Sequence, residues 1–246
     1  MASSISNNEI KRIKALSQKK FRDETGLFIA EGEKIVEEAV RSGYGIEKIY
    51  RREDIGEEAM SRISQLSSPS PVLAVIRKPD EGSLLHIPSG GLYLGLDSIR
   101  DPGNLGTIIR IADWFGIDGI YAAPDTVDVY NPKVVQATMG AIFRVRFRYC
   151  NLVETAERFL ERGGKVYGTF LDGNNIYSSI LDTGVHSPVM IVIGNESEGI
   201  SDAMSEHVSD RLFIPPYPVD EPGSESLNAA VATAVTVAEF RRRALE

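Results

Sequence analysis

Three short segments of the chain combine residue types that can bind and orient a polar substrate. The first, DPGNLGTIIR, carries Asn104, Gly106 and Arg110 directly after a fully apolar run. A guanidinium presents five donors in a fixed fork that grips phosphate or carboxylate, and it is effectively never deprotonated. Arg110 therefore suits charge stabilisation rather than proton abstraction. The second segment, VMIVIGNESEGIS, ends an apolar strand in Gly194, Asn195 and Glu196, with Gly199 and Ser201 just beyond. Glycines at such an exit admit close backbone approach to a flat ligand. The third, FIPPYPVDEPGSESLN, stops at Ile214, Pro215 and Pro216 before a loop leads to Ser226, Leu227 and Asn228. Each segment also has an ordinary structural reading. Asn104 and Ser226 are good helix N-caps, Glu196 can cap a helix, and an arginine on a helix is commonly salt-bridged.

The elements that must position these residues are legible from periodicity. LYLGLD (92–97), GIYAA, KVYGTFLDG, VMIVIGN and RLFIPP read as strands, with FRVRF as a further short alternating one. NLGTIIRIADWFG places Ile108, Ile109, Ala112 and Phe115 at helical spacing and stops at Gly116. PKVVQATMGAI, residues 152–162 and SLNAAVATAVTVAEFRRR complete the helices of this part. Strands alternating with helices imply an α/β domain with a parallel sheet and helices on both faces. In such sheets ligands sit outside the carboxyl ends of the strands, where the three segments fall. Asn104 and Arg110 lie six residues apart, off a common helical face, so Asn104 is expected at the cap.

Upstream, residues 7–20 read as one amphipathic helix, followed by LFIA, the helix EGEKIVEEAVRSG, IEKIYR, a helix over 55–66 and VLAVIR. This is expected to be a compact βαβ-like unit over residues 1–80. Residues 81–91, rich in Pro, Gly and Ser, are the expected linker to a second domain at 92–246.

A length of 246 residues with 42% hydrophobic and 25% charged residues fits an ordinary soluble globular protein, with no need for staples. One cysteine, Cys150, excludes an internal disulfide. With only three scattered histidines, a metal site is not expected. No run approaches the roughly 18 apolar residues that span a bilayer, and the charged start MASSISNNEIKRIK is not a secretory signal. A cytoplasmic location is expected. The net charge of −8 opposes generic nucleic-acid binding. One local cluster, Lys11, Arg12, Lys14, Lys19, Lys20 and Arg22, is dense enough to meet phosphates. Arg241 to Arg243 form another basic run, for which a solvated helix face is the plainer reading.

Taken together, the three segments resemble the three motifs of the SpoU/TrmH ribose methyltransferases of the SPOUT superfamily. The first motif, Asn-x-Gly-x-x-x-Arg, is matched by Asn104, Gly106 and Arg110; the second by Gly194, Glu196, Gly199 and Ser201. The third is matched by Ile214, Pro215, Ser226, Leu227 and Asn228. PKVVQATMGAIFRV is similar to a family helix, and FIAEGEKIVEEA looks like the family's small substrate-binding domain. The sequence departs from the pattern at Pro216, where methionine is frequent, and in a longer third-motif loop.

The resemblance implies S-adenosyl-L-methionine as cofactor, RNA as substrate, a C-terminal trefoil knot and a homodimer. It implies 2′-O-ribose methylation, of ribosomal RNA in preference to tRNA. Cofactor contacts fall to Thr169, Leu171, Gly194, Asn195, Gly199, Ile214, Pro215 and Leu227. Arg110 would clamp an RNA phosphate and stabilise charge developing on the ribose oxygen; Asn104 and Glu196 would orient it, while Ser226 and Asn228 position the ribose. A catalytically silent RNA-binding or ribosome-assembly factor is the competing class, although it need not retain all five of these residues. A dehydrogenase is excluded by the absent G-x-G-x-x-G, and a metal hydrolase by the lack of clustered ligands.

Overall fold

The computed structural model describes residues 5–79, 89–218 and 225–245. Packing divides the chain into two compact units, one of residues 1–80 with 128–144, the other of 81–127 with 145–246. Most of the expected linker, residues 81–88, lies outside the described residues.

In the first unit, strands β1 (Leu27–Glu31), β2 (Ile46–Arg51) and β3 (Val72–Arg77) form a sheet of order β1-β3-β2. Both outer strands run antiparallel to β3, so they are parallel to one another. The helix between them, α3 (Glu33–Arg41), thus makes the expected crossover, but β3 is inserted in the gap. The simple βαβ expectation is corrected to a split one. The expected helix over 7–20 is two helices, α1 (Asn7–Ala15) and α2 (Lys19–Thr25). Ser6 caps the first through Glu9 N–H, and α2 stops at Gly26, whose φ of 65° suits glycine. The expected helix over 55–66 resolves into α4 (Arg52–Ile55) and α5 (Glu57–Ile63). Ile10, Ile13 and Leu16 pack with Met60, Ile63, Leu27, Leu73 and Val75 in one buried core. Residues 128–144 contribute α7 (Pro132–Thr138), which packs on β1, and Tyr130 and Phe143, which stack around Phe28.

The second unit is a six-stranded, wholly parallel sheet of order β6-β5-β4-β8-β7-β9. Its strands are β4 (Gly91–Leu96), β5 (Gly119–Ala122), β6 (Phe147–Tyr149), β7 (Lys165–Asn175), β8 (Pro188–Ile193) and β9 (Asp210–Phe213). FRVRF is not a strand: Ala141–Phe143 is a 3₁₀ turn, and pairing begins only at Phe147. Every residue of β8 is buried, as a central strand covered on both faces requires. One face carries α8 (Leu152–Glu161), whose Phe159 meets Tyr93 and Tyr121 edge-on at centroid distances of 5.3 and 5.9 Å. The opposite face carries α10 (Ala229–Arg243), where Phe240 meets Tyr167 of β7 at 5.0 Å. Helix α6 (Pro102–Trp114) packs against α10, and the short α9 (Asp202–Ser205) lies between β8 and β9 in the chain. No helix among the described residues is long and apolar enough to cross a membrane.

Candidate active site

The β4 exit leads into α6, and the sequence DPGN offers two competing caps. Asp101 takes the position: its carboxylate accepts from Asn104 N–H at 2.8 Å, and Pro102 occupies the first helical turn, where no N–H is needed. Asn104 is therefore not the N-cap, as expected from spacing, but a buried residue three positions inside the helix. Losing the cap role frees its side-chain amide to point elsewhere.

It points at Glu196. The Glu196 carboxylate accepts from Asn104 Nδ2 at 2.9 Å and from the backbone N–H groups of Arg100 and Asp101 at 3.1 Å each. Burial alone pushes this carboxyl upward, but the Asn104 and backbone hydrogen bonds together outweigh it and hold Glu196 below the usual range. On the far side, Asn104 Oδ1 accepts from Asn228 Nδ2 at 2.8 Å. Asn228 Oδ1 in turn accepts from Ala230 and Val231 N–H, making Asn228 the cap of α10. Ser226, the other cap candidate, does not take that place and is exposed. Both ends of this chain fix its direction: a carboxylate can only accept, and helix N–H groups can only donate.

The β8 exit is held independently. Asn195 pairs with Gly199 by two backbone bonds, at 2.8 and 3.0 Å, and Gly199 sits at φ 73°. Asn195 Oδ1 accepts from Ser197 and Glu198 N–H, and its Nδ2 donates to Ser98 O at 2.7 Å. A Cβ on Gly194 would lie 2.2 Å from the Gly199 carbonyl carbon. The close approach expected there is thus to the loop's own backbone, whatever else the glycine meets. Buried Asp97, at the β4 exit, accepts from Ser201 N–H at 2.7 Å and ties the same loop down.

These exits surround a cavity of about 480 Å³. Its wall includes Thr169, Leu171, Gly194, Asn195, Gly199, Ile214 and Leu227 of the expected cofactor set, together with Glu196 and Ser226. Pro215 is not part of that wall. Phe170 and Arg211 are, and sequence reasoning passed over both. The Arg211 guanidinium lies 3.5 Å from the Phe170 ring centroid and donates to Ser205 Oγ and Asp172 Oδ1. Arg110 stands on the exposed face of α6, and its side chain makes no hydrogen bond or ion pair among the described residues.

In the first unit the six expected RNA contacts separate into distinct groups. Arg22 is a correction: it is 2% exposed, ion-paired to Asp128 at 2.6 Å, and donates to the Leu16 and Ser17 carbonyls. Its charge belongs to the core, because a buried guanidinium must have its donors met. Arg12 pairs with Glu47, Lys19 with Asp23 and Lys20 with Glu24. Lys11 and Lys14 are exposed and carry no ion pair among the described residues.

Comparison with known proteins completes the picture. The SpoU rRNA Methylase family matches residues 91–238, which span the parallel sheet and all three exits. The chain belongs to this family. An MRM3-like substrate binding domain matches residues 7–78. The chain is 31% identical over 253 residues to a 23S rRNA (guanosine(2553)-2′-O)-methyltransferase of Bacillus subtilis, covering 97% of this chain and 98% of that one. Among solved structures, a TrmH-family protein from Porphyromonas gingivalis superposes with a TM-score of 0.86 at 36% identity, over 98% of this chain and 100% of the other. An AdoMet-bound rRNA methyltransferase from Sinorhizobium meliloti superposes with a TM-score of 0.85 at 31% identity, over 100% of this chain and 98% of the other. In this SpoU/TrmH protein Gly194, Glu196, Gly199, Ile214, Ser226 and Leu227 of the motifs line one cavity, whereas Arg110 and Pro215 are not part of its wall.

Proposed function

We propose that the protein is an S-adenosyl-L-methionine-dependent methyltransferase that modifies the 2′-oxygen of a ribose in RNA, with ribosomal RNA as the substrate class. The observation that carries this is the joining of the three strand exits by Asn228, Asn104 and Glu196 beside the cavity. Membership of the family and the names of the relatives support the reaction, and the substrate-binding domain supports RNA. Ribosomal RNA is preferred to tRNA on the same relatives.

The cavity fits the cofactor on its own chemistry. Its volume lies within the range of about 300–1,000 Å³ for ligand pockets, and Leu171, Ile214 and Leu227 give it apolar walls. Glu196, Glu198 and Asp202 face the same space, suiting a ligand with a sulfonium and an ammonium group. S-adenosyl-L-methionine supplies an activated methyl group, so the chain's own task is binding, alignment and electrostatics. Thr169, Leu171, Gly194, Asn195, Gly199, Ile214 and Leu227 hold it. Glu196 and Asn104 fix the exits, Ser226 and Asn228 position the ribose, and Arg110 grips the RNA phosphate and offsets charge on the attacking oxygen. Lys11 and Lys14 add general attraction for the RNA backbone.

A homodimer belongs to the same reading, supported by Trp114, 85% exposed on α6, and Val231, 48% exposed on α10. So do the C-terminal trefoil knot, which family membership supports, and residence in the cytoplasm, which the single free thiol of Cys150 supports. Transfer of tritium from labelled cofactor to ribosomal RNA tests the proposal, with the modified position then mapped. Arg110→Lys is expected to lower kcat/KM about a hundredfold, since a point charge cannot replace the bidentate fork. Near-normal turnover by that variant would end the clamp.

A further inference from the structure

The first unit contains a second cavity, of about 290 Å³. Its lining comes from β1 (Ile29, Glu31), from the segment after α5 (Gln65, Leu66) and from α7, where Lys133 and Gln136 are the polar members. This volume sits at the lower edge of the ligand-pocket range of about 300 Å³. It has room for a single nucleoside and is too small for a cofactor of the size the other cavity takes.

The carboxylate in its wall is held in place, while the amides beside it keep their hydrogen-bonding capacity. Glu31 is 4% exposed and organises the wall: Oε1 accepts from Ser64 Oγ at 2.5 Å and Ser70 N–H at 3.2 Å, and Oε2 from Gln65 N–H at 3.0 Å. An ionised carboxylate offers roughly four acceptor positions, so one stays open among the described residues. Gln65 is held by its backbone, and its side-chain amide makes only a long 3.4 Å contact to Ile63 O. The half-buried Gln136 side chain has no hydrogen bond among the described residues. Lys133 is exposed and without an ion pair among them. Apolar walls carrying amides and an open carboxylate, with a lone cation nearby, match the needs of an unstacked base and its phosphate.

We propose that this cavity receives one unpaired base of the RNA, and that it prefers bases carrying an exocyclic amino group. Glu31 and the glutamine carbonyls accept from that amino group, Ile29 and Leu66 cover the ring, and Lys133 meets the adjoining phosphate. Uracil has only its N3–H to donate and sets carbonyl oxygens beside the Glu31 carboxylate, which cannot donate to them. The inference rests on the RNA-modifying function proposed above.

The test uses the full chain with fluorescently labelled eight-nucleotide RNAs of A, C or U, read by anisotropy at several salt concentrations. Wild-type protein is expected to bind the A and C strands about tenfold more tightly than the U strand. Gln136→Leu, close in volume, is expected to erase that preference while leaving the U strand unaffected, and Gln65→Leu on the opposite wall to do the same. Lys133→Ala should weaken all three alike and reduce the salt slope by about one. Equal wild-type affinity for the three strands, or uniform loss in both glutamine variants with unchanged melting, would overturn the proposal. S-adenosyl-L-methionine is titrated calorimetrically into the same preparations. Absent binding there defeats the methyltransferase reading, whereas intact binding with no base preference defeats this inference alone.

Discussion

Glu196 and Glu239 are carboxylates at opposite ends of the same unit's chemistry, and both are held below the ordinary acidic range by different partners. Glu239 is buried on α10, where hydrogen bonds from Arg242, and then Arg243, overcome burial and draw it down to about 2. Arg242 donates at 2.9 and 3.0 Å and Arg243 at 2.7 Å. Arg243 also reaches the Ile176 and Tyr177 carbonyls, while Arg241 Nε donates to Phe115 O at the carboxyl end of α6. The charge of Glu239 is cancelled there, in a clamp that ties α10 to its neighbours. Glu196 is exposed at a cavity wall and meets only neutral donors. Its charge is oriented but not cancelled. A carboxylate paired with arginine stabilises a fold; one held by amides keeps a field that a cationic ligand can feel.

Substitutions can break this contrast in order of expected effect. Glu196→Gln puts an amide N–H₂ against donors that want an acceptor. It is expected to lower kcat/KM for methyl transfer about a hundredfold, with melting nearly unchanged; a fall below threefold would make Glu196 a mere loop tether. Asn228→Asp is sharper, because aspartate still caps α10 but cannot donate to Asn104 Oδ1. Roughly a tenfold loss of turnover is expected from one missing hydrogen bond, again at constant melting temperature. If melting drops instead, the bond to Asn104 serves stability.

Glu239→Gln should reverse the pattern. Losing its charge leaves two guanidiniums without their anion, and a cost of roughly 1–3 kcal/mol is expected, reduced because Arg242 is exposed. Calorimetry should show a lower melting temperature, while cofactor affinity measured at 20–25 °C, roughly the ordinary working range, stays unaltered. The smallest effect is pH dependence. The folded value of Glu239 lies below its reference of 4.5, so its stabilisation is complete above that reference and fades as pH falls toward about 2. Acid unfolding of the Glu239→Gln variant should lack that component; curves of identical shape would contradict it.

Much of the cavity was legible because its parts are local. Apolar runs ended by Gly194 or by Pro215 mark strand exits in one dimension, and a parallel sheet must bring such exits to one edge. What failed depended on choices that pattern cannot make. Asp101 and Asn104 are both good caps, and Pro102 decides between them through backbone geometry. Arg22 read as surface charge because its partner Asp128 lies 106 residues away. Arg241 and Arg243 read as part of a solvated face for the same reason, since the carbonyls they meet are distant in sequence. FRVRF alternates like a strand, but Gly140 at φ 94° leads into a tight turn first. Phe170 and Arg211 gave no motif; only the fold stacks one on the other.

The fixed sense of the Asn228–Asn104–Glu196 chain has a chemical consequence. Primary amides locked in one orientation do not hand hydrogen ions along, and a carboxylate already more acidic than usual has little appetite for one. The hydrogen ion set free when a sugar hydroxyl is alkylated therefore does not drain inward through these three side chains. Its way out lies elsewhere, to the solvent or to another group at the cavity, and the three linked side chains serve alignment rather than proton transfer.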